Sequence, residues 1–288
     1  MSTLAKRHRL IFFFQNAIGV HVAPQTGGDG MKEMDRIAAR LLDPRVDPAP
    51  VEYVAATARP DLLFICEHAG RLIPRSLGDL GLAPGEIDRH IAWDIGAEGV
   101  ARRLAATLGA GLILQRYSRL VIDCNRPPLG KQSVPETSDG AEIPGNRNLS
   151  NEAGTARVDE IFRPFAEACE AAISDRRIRA AYSIHSFTPC MNGFARPWHI
   201  GFCFRQANSG GDLARRFGAA HPNLTVAENQ PYQIDDETDW FIPRVAEPRG
   251  IAHALIEIRN DQIADEAGQI LWAGRLAALF QPRKETDL

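Results

Sequence analysis

The sequence predicts an α/β fold of three layers, a mostly parallel mixed sheet covered by helices on both faces. Three observations carry that expectation. Short apolar runs alternate along the chain with segments of helical periodicity, the pattern of βαβ units. Three of those runs, 62–66, 180–184 and 254–258, lead into titratable residues, as parallel strands do where they end beside a ligand. And 288 residues with 44% hydrophobic content can bury a large core, so one large domain over residues 31–288 fits better than two small ones.

Taken in order, the first thirty residues stand apart. Lys6–Arg9 before Leu10–Phe14 imitates a basic-then-apolar export signal, but Gln15 and Asn16 end the apolar segment after five residues. Residues 1–30, rich in Gly and polar residues from 21 onward, are expected to be a disordered extension. Met31–Leu42 reads as a helix. Asp43–Pro60, with four prolines, reads as an extended connector. The first core strand then leads to His68. From Ala83 to Ala110 the positions Ile87, Ile91, Val100, Leu104 and Leu108 keep helical spacing, interrupted by Asp94-Ile95-Gly96, so two helices are expected to meet at Asp94.

Leu112–Leu114 and Leu120–Cys124 are the next strand candidates. Pro127 and Pro128 forbid continuation of the second, which presents Asn125 and Arg126 at a strand end. Leu129–Ser150 reads as a long polar loop containing Lys131, Glu142, Asn146 and Arg147, and loops of that length are usually functional or disordered. Val158, Ile161, Phe162, Phe165, Cys169 and Ile173 mark an amphipathic helix kinked at Pro164. The strand of His185 follows, then a strand at His199–Phe204, a helix at Asp212–Ala220, a strand at Leu224–Ala227, and a polar loop from Asn229 through Tyr232 to Arg249. The strand of Glu257 and a helix over Asp261–Phe280 complete the pattern.

Composition narrows the partners. A net charge of -3 from 33 basic and 36 acidic residues, dispersed along the chain, gives no basic run to track phosphates and argues against nucleic acid. No apolar stretch approaches the length that spans a bilayer. The five cysteines are odd in number and form no closely spaced pair, so they read as small buried hydrophobes in a reducing compartment, and a cytoplasmic location is expected.

Two histidines on separate strands with a carboxylate are the usual donors of a catalytic zinc site. One zinc per chain is expected, held by His68 and His185 with Asp94 or, in its place, Glu67. Each of these residues also has a structural reading, His68 as a hydrogen-bonded residue and Asp94 as a helix cap. The two-residue strand period puts Ala254, Ile256 and Ile258 on one face and His253, Glu257 and Arg259 on the other. Glu257 would then move a proton from water to a leaving amine, and metal-assisted amide hydrolysis is the chemistry that fits. Arg126 with Asn125 is the first choice for anchoring a substrate carboxylate through a planar fork. Arg119 and Arg259 are second choices, with ion-pair readings beside them, and Tyr232 is a candidate donor to the substrate. Ser186 lacks the pattern of a nucleophile elbow.

Glu67-His68-Ala69-Gly70 with Ile73-Pro74, Asp94-Ile95-Gly96, Ser118-Arg119 through Asp123-Cys124-Asn125-Arg126, Ile184-His185-Ser186 and Glu257-Ile258-Arg259 together resemble the N-formylglutamate amidohydrolase family, in order from about residue 62 to 260. That family is similar in fold to the zinc carboxypeptidases. The resemblance implies that His185 is the late histidine ligand, that Glu257 is the catalytic glutamate, and that Asn125 and Arg126 hold a substrate carboxylate. The carboxypeptidase pattern has a glutamate ligand three residues after the first histidine, and here that position is Arg71. Asp94 is preferred over Glu67 in its stead, since neighbouring strand residues point to opposite faces. Hydrolysis of N-formyl-L-glutamate to formate and glutamate, a late step of histidine breakdown, is implied. The alternatives are carboxypeptidase-like or deacylase activity on another N-acyl amino acid, and a non-catalytic carboxylate-binding protein on the same fold.

Overall fold

Eleven strands form among the described residues, 40–128, 130–206 and 209–281 of the computed structural model. They are β1 (Val51–Val54), β2 (Arg59–Cys66), β3 (Ala110–Gln115), β4 (Thr137–Ser138), β5 (Ala141–Glu142), β6 (Ala180–Phe187), β7 (Cys190–Met191), β8 (Phe194–Ala195), β9 (Ile200–Cys203), β10 (Val226–Glu228) and β11 (Ala252–Arg259). Seven of them make one sheet in the order β1-β3-β2-β6-β11-β9-β10, while β4–β5 and β7–β8 are two-residue ladders outside it. The sheet is mixed and mostly parallel, as expected: only β1–β3 and β9–β11 run antiparallel.

The α-helices are α1 (Ala97–Leu108), α2 (Asn151–Arg157), α3 (Arg163–Ser174), α4 (Ser209–Ala220) and α5 (Glu266–Leu279). One core lies between the sheet and α1, α4 and α5 and takes Leu62, Phe64, Tyr182, Ile184, Ala254, Ile256 and Ile258 from the central strands. The other lies under α2, α3 and residues 241–246 and takes Leu63, Ile65, Ala181 and Leu255. Strand alternation thus sorts the side chains between two layers, each large apolar one contributing about 1.5–3 kcal/mol on burial. Ser183, His185 and Glu257 share the face of Ala181 and Leu255 but lie toward the strand ends, where the second layer gives way to polar loops.

The sequence and the structure part at several places. Residues 1–39, with the expected extension and most of the expected helix at 31–42, lie outside the described residues, and 40–42 are not helical. The connector at 43–60 contributes the edge strand β1. Between Ala83 and Asp94 there is no α-helix, only a 3-10 turn at Glu86–Asp88 that starts after Gly85 in left-handed conformation. Leu120–Cys124 is buried but forms no strand, because both edges of β3 are already taken by β1 and β2. Its backbone turns instead: Val121 N–H donates to Ser118 O and Asp123 N–H to Ser133 O. The polar loop after Tyr232 contains a π-helical turn, Ile242–Ala246, which begins beside Pro243 and buries Ile242, Val245 and Ala246. Pro164 sits at the start of α3, directly after a π-helical turn at Val158–Phe162 that joins α2 to α3.

Candidate active site

β2 ends at Cys66 and the chain turns, so Glu67 and His68 leave the sheet at its C-terminal edge. The His68 carbonyl accepts from the Asp94 backbone N–H at 2.9 Å, which docks the next segment beside this turn. Asp94 does not cap a helix. α1 begins after Gly96, whose φ of 81° suits glycine and where a Cβ would stand 2.1 Å from the Ile263 carbonyl oxygen. The Asp94 carboxylate, on a residue 3% exposed, is turned toward both histidines instead. Ser118 closes the arrangement from below: its Oγ donates to Ala92 O at 2.8 Å, and Arg119 N–H donates to the same carbonyl at 3.1 Å.

Asp94 Oδ2 accepts from the Ser186 N–H at 3.1 Å, meets His185 Nδ1 at 2.8 Å and lies 3.5 Å from His68 Nδ1. His68 Nδ1 is buried without a hydrogen-bond partner, and the two imidazoles meet edge to face with centroids 4.8 Å apart. Their outer nitrogens are held by two further carboxylates: His68 Nε2 by Asp123 Oδ1 at 2.7 Å, His185 Nε2 by Glu67 Oε2 at 2.9 Å. Glu67 is itself fixed by Ser183 Oγ, which donates to its Oε1 at 2.7 Å. One donor atom each from His68, Asp94 and His185 therefore lie within 4.8 Å of one another. Carboxylates behind both rings are the usual way in which ligating histidines are oriented. Two imidazoles and one carboxylate, with one Nδ1 left unpartnered, fit a zinc ion with an open position. Glu67 stands behind His185, so the carboxylate grouped with the two inward imidazoles is that of Asp94.

The charges balance locally. Burial pushes the Asp94 carboxyl up, but His68 and His185 hold it far below the usual carboxylate range. Burial likewise opposes the charge of Asp123, and Arg119 with His68 holds it well below its ordinary value. Burial disfavours a charged His185, yet Glu67 and Asp94 on its two nitrogens raise it well above the ordinary imidazole value. Glu257 is the exception. It pairs in register with His185 across β6 and β11, its Oε2 has no hydrogen-bond partner, and burial pushes its carboxyl up to about 8. A carboxyl so placed can hold or release a proton near neutral pH.

These residues open on a cavity of about 600 Å³ that His68, Asp94, His185 and Glu257 line together with Arg119, Asp123, Asn125, Arg126 and Tyr232. Arg126 donates through Nη1 to Thr238 O, with its Nε 3.8 Å from Asp123 Oδ2. Asn125 ties two loops together: its Nδ2 donates to Asp239 Oδ1 at 3.1 Å and its Oδ1 accepts from Trp240 N–H at 3.4 Å. Arg119 is engaged by Asp123 at 2.6 Å and by Asp94 at 3.4 Å. Arg259 is not among the lining residues. It is the last residue of its strand, and Asp261, two residues on, takes its Nε at 2.8 Å while its Nη1 donates to Arg196 O. Among the sequence-derived candidates, Arg259 and Glu67 are the two that do not line the cavity, and Glu67 acts behind His185 instead. Sequence reasoning missed the support that Asp123 gives to His68, the loop anchor Asp239, and the buried Arg196. Asp123 alone carried a signal, as the first residue of the run that ends in Asn125 and Arg126.

The sequence matches the family model of N-formylglutamate amidohydrolase over residues 60–264. A crystal structure of gene product Atu2144 from Agrobacterium tumefaciens is 37% identical, covers 83% of this chain and 96% of its own, and superposes with a TM-score of 0.76. The crystal structure of N-formylglutamate amidohydrolase from Ralstonia eutropha JMP134 is similar in fold at 18% identity, 80% and 95% coverage and a TM-score of 0.54. Among curated proteins none matches.

Proposed function

Because the chain belongs to the N-formylglutamate amidohydrolase family and is an amidohydrolase, we propose that it cleaves the amide of an N-acyl amino acid, N-formyl-L-glutamate first, to release formate and L-glutamate. One observation carries the reading: the inward cluster of His68, Asp94 and His185 shares a cavity with the unpartnered Oε2 of Glu257. We assign zinc to that cluster, where a bound ion would polarise the acyl carbonyl and make water more acidic. The rest is done by the chain. Glu257 accepts a proton at Oε2 from the attacking water and returns it to the departing amine, which its raised proton affinity favours. Arg126 holds the α-carboxylate by a charge-assisted fork, and the carboxylates behind the histidines keep both rings in place.

The test is release of amine from N-formyl and N-acetyl derivatives of Glu, Gln, Asp and Leu, with zinc content measured on the same protein. About one zinc per chain and preference for N-formyl-Glu by more than roughly tenfold, or about 1.4 kcal/mol, is the expected outcome. A protein that cleaves none of them in its zinc-loaded form would not be this enzyme. A second reading, deacylation of an N-acyl amino acid with a larger acyl group, is favoured by the cavity volume of about 600 Å³, within the range that accepts drug-sized molecules. Faster cleavage of the acetyl than of the formyl series would select it.

A further inference from the structure

Arg196 lies just after β8, is 8% exposed, and among the described residues its guanidinium has only neutral hydrogen-bond partners and no ion pair. Its Nη1 donates to Thr188 O, Thr188 Oγ1 and Tyr232 Oη, each at a long 3.4 Å. Its guanidinium stands 5.6 Å from the centre of the Phe187 ring and 5.2 Å from that of Tyr232. Aromatic faces stabilise such a charge only modestly, and buried charges are as a rule paired with an opposite one. The arginines that could otherwise serve an anion are taken: Arg119 by Asp123 and Asp94, Arg259 by Asp261, and Arg147 by Glu142.

Tyr232 connects this charge to the cavity, which its side chain lines. Since Arg196 donates to the phenol oxygen, the phenol's own proton must point elsewhere, and no acceptor takes it among the described residues. That proton is left free for a ligand in the cavity, and the charge behind the phenol would make it a stronger donor. We propose that Arg196 is a specificity-determining positioning residue: it orients Tyr232 and supplies the second positive charge of the site, so that N-acyl amino acids with a second carboxylate are selected over neutral ones. This rests on the hydrolysis of N-acyl amino acids proposed above, with Arg126 reading the first carboxylate.

The experiment compares kcat/KM for N-formyl-L-glutamate and N-formyl-L-glutamine, which differ by one charge at equal length, in the parent protein, Arg196→Met, Arg196→Lys and Tyr232→Phe. Thermal melting checks the fold of each. Arg196→Met is expected to cut the Glu-over-Gln ratio at least about tenfold, chiefly by raising KM for the glutamate substrate. Arg196→Lys, which keeps the charge but loses the planar fork, should retain part of the preference, and Tyr232→Phe should shift the ratio in the same direction as Arg196→Met. A purely structural residue would lower both substrates alike, and that outcome, or an unchanged ratio, overturns the proposal. Should Arg196→Met not fold, Tyr232→Phe decides on the same ratio. If the parent protein hydrolyses neither substrate, the functional reading fails and binding becomes the arbiter, with glutarate and butyrate as calorimetric probes. Glutarate bound at least tenfold tighter than butyrate, with the difference lost in Arg196→Met, upholds the role of Arg196; equal affinity of the parent protein for both overturns it.

Discussion

The two walls of the cavity are built by different means. His68 follows β2, and His185 and Glu257 stand on β6 and β11, whose backbones are paired residue by residue from Ala252↔Ala180 to Arg259↔Phe187. The facing wall, with Asn125, Arg126, Tyr232 and Asp239, comes from coil and is held by side chains: Asn125 on Asp239, Arg126 on Thr238 O, and Asn229 Oδ1 on the Phe204 N–H at 2.8 Å. A strand ladder keeps its geometry when one side chain is changed, whereas a loop pinned by single hydrogen bonds does not. Substitutions in the strand wall should therefore remove chemistry from an intact pocket, and those in the loop wall should move the pocket and show in KM.

The largest effect should come from the strand wall. Glu257→Gln removes the proton carrier without changing shape, so kcat should fall by at least roughly two orders of magnitude while melting temperature and zinc content stay at parent values. Turnover within a few-fold of the parent would end the assignment of Glu257. Next is the support behind the rings. Glu67→Gln weakens the partner of His185 Nε2, and its zinc affinity, read by chelator competition, should drop about 10–100-fold, the scale for outer-shell partners. Asp94→Asn should lose more. If Glu67→Gln loses more than Asp94→Asn, Asp94 is not the inner donor. In the loop wall the effect is smaller and of another kind: Arg126→Lys keeps a charge but not the fork, and KM for N-formyl-Glu should rise by about tenfold with a lesser change in kcat.

The same division governs what could be read from the sequence. The strand wall was legible because its signal is local: an apolar run that ends at His68, another at His185, and a two-residue period that brings Glu257 to the polar face. The loop wall was only half legible. Asn125 and Arg126 were visible beside two prolines, but the use of the Asn125 amide to bind Asp239, 114 residues away, leaves no local trace. Arg196 gave no sign either, since a lone arginine in a polar stretch looks like any surface arginine until Phe187 and Tyr232 close over it. Leu120–Cys124 misled in the opposite sense. Its apolar run has the composition of a strand, and only the full sheet shows that no edge of β3 remained for it. Arg259 misled by proximity to Glu257, since an ion pair two residues on was enough to turn it away.

The smallest expected effect joins the two walls. Gly201 on β9 is paired in register with Glu257, and an added Cβ there would stand 1.7 Å from the Gln230 carbonyl oxygen. The loop that carries Pro231 and Tyr232 into the cavity thus lies directly on a strand residue without a side chain. Backbone cannot swing aside as the end of a long side chain can, so Gly201→Ala must lift the loop. Overpacking of this kind costs about 1–3 kcal/mol, which for a domain of this size lowers the melting temperature by on the order of 5 °C. Glu257 and the histidines stay on their ladder, so zinc content should be unchanged and kcat should fall less than the kcat/KM of the glutamate substrate, as Tyr232 moves away from it. The measurement is a melting curve, a zinc assay and steady-state kinetics on the one variant. A loss of kcat as large as that of Glu257→Gln would show that the loop wall takes part in the chemistry itself, and the separation of the two walls would then be wrong.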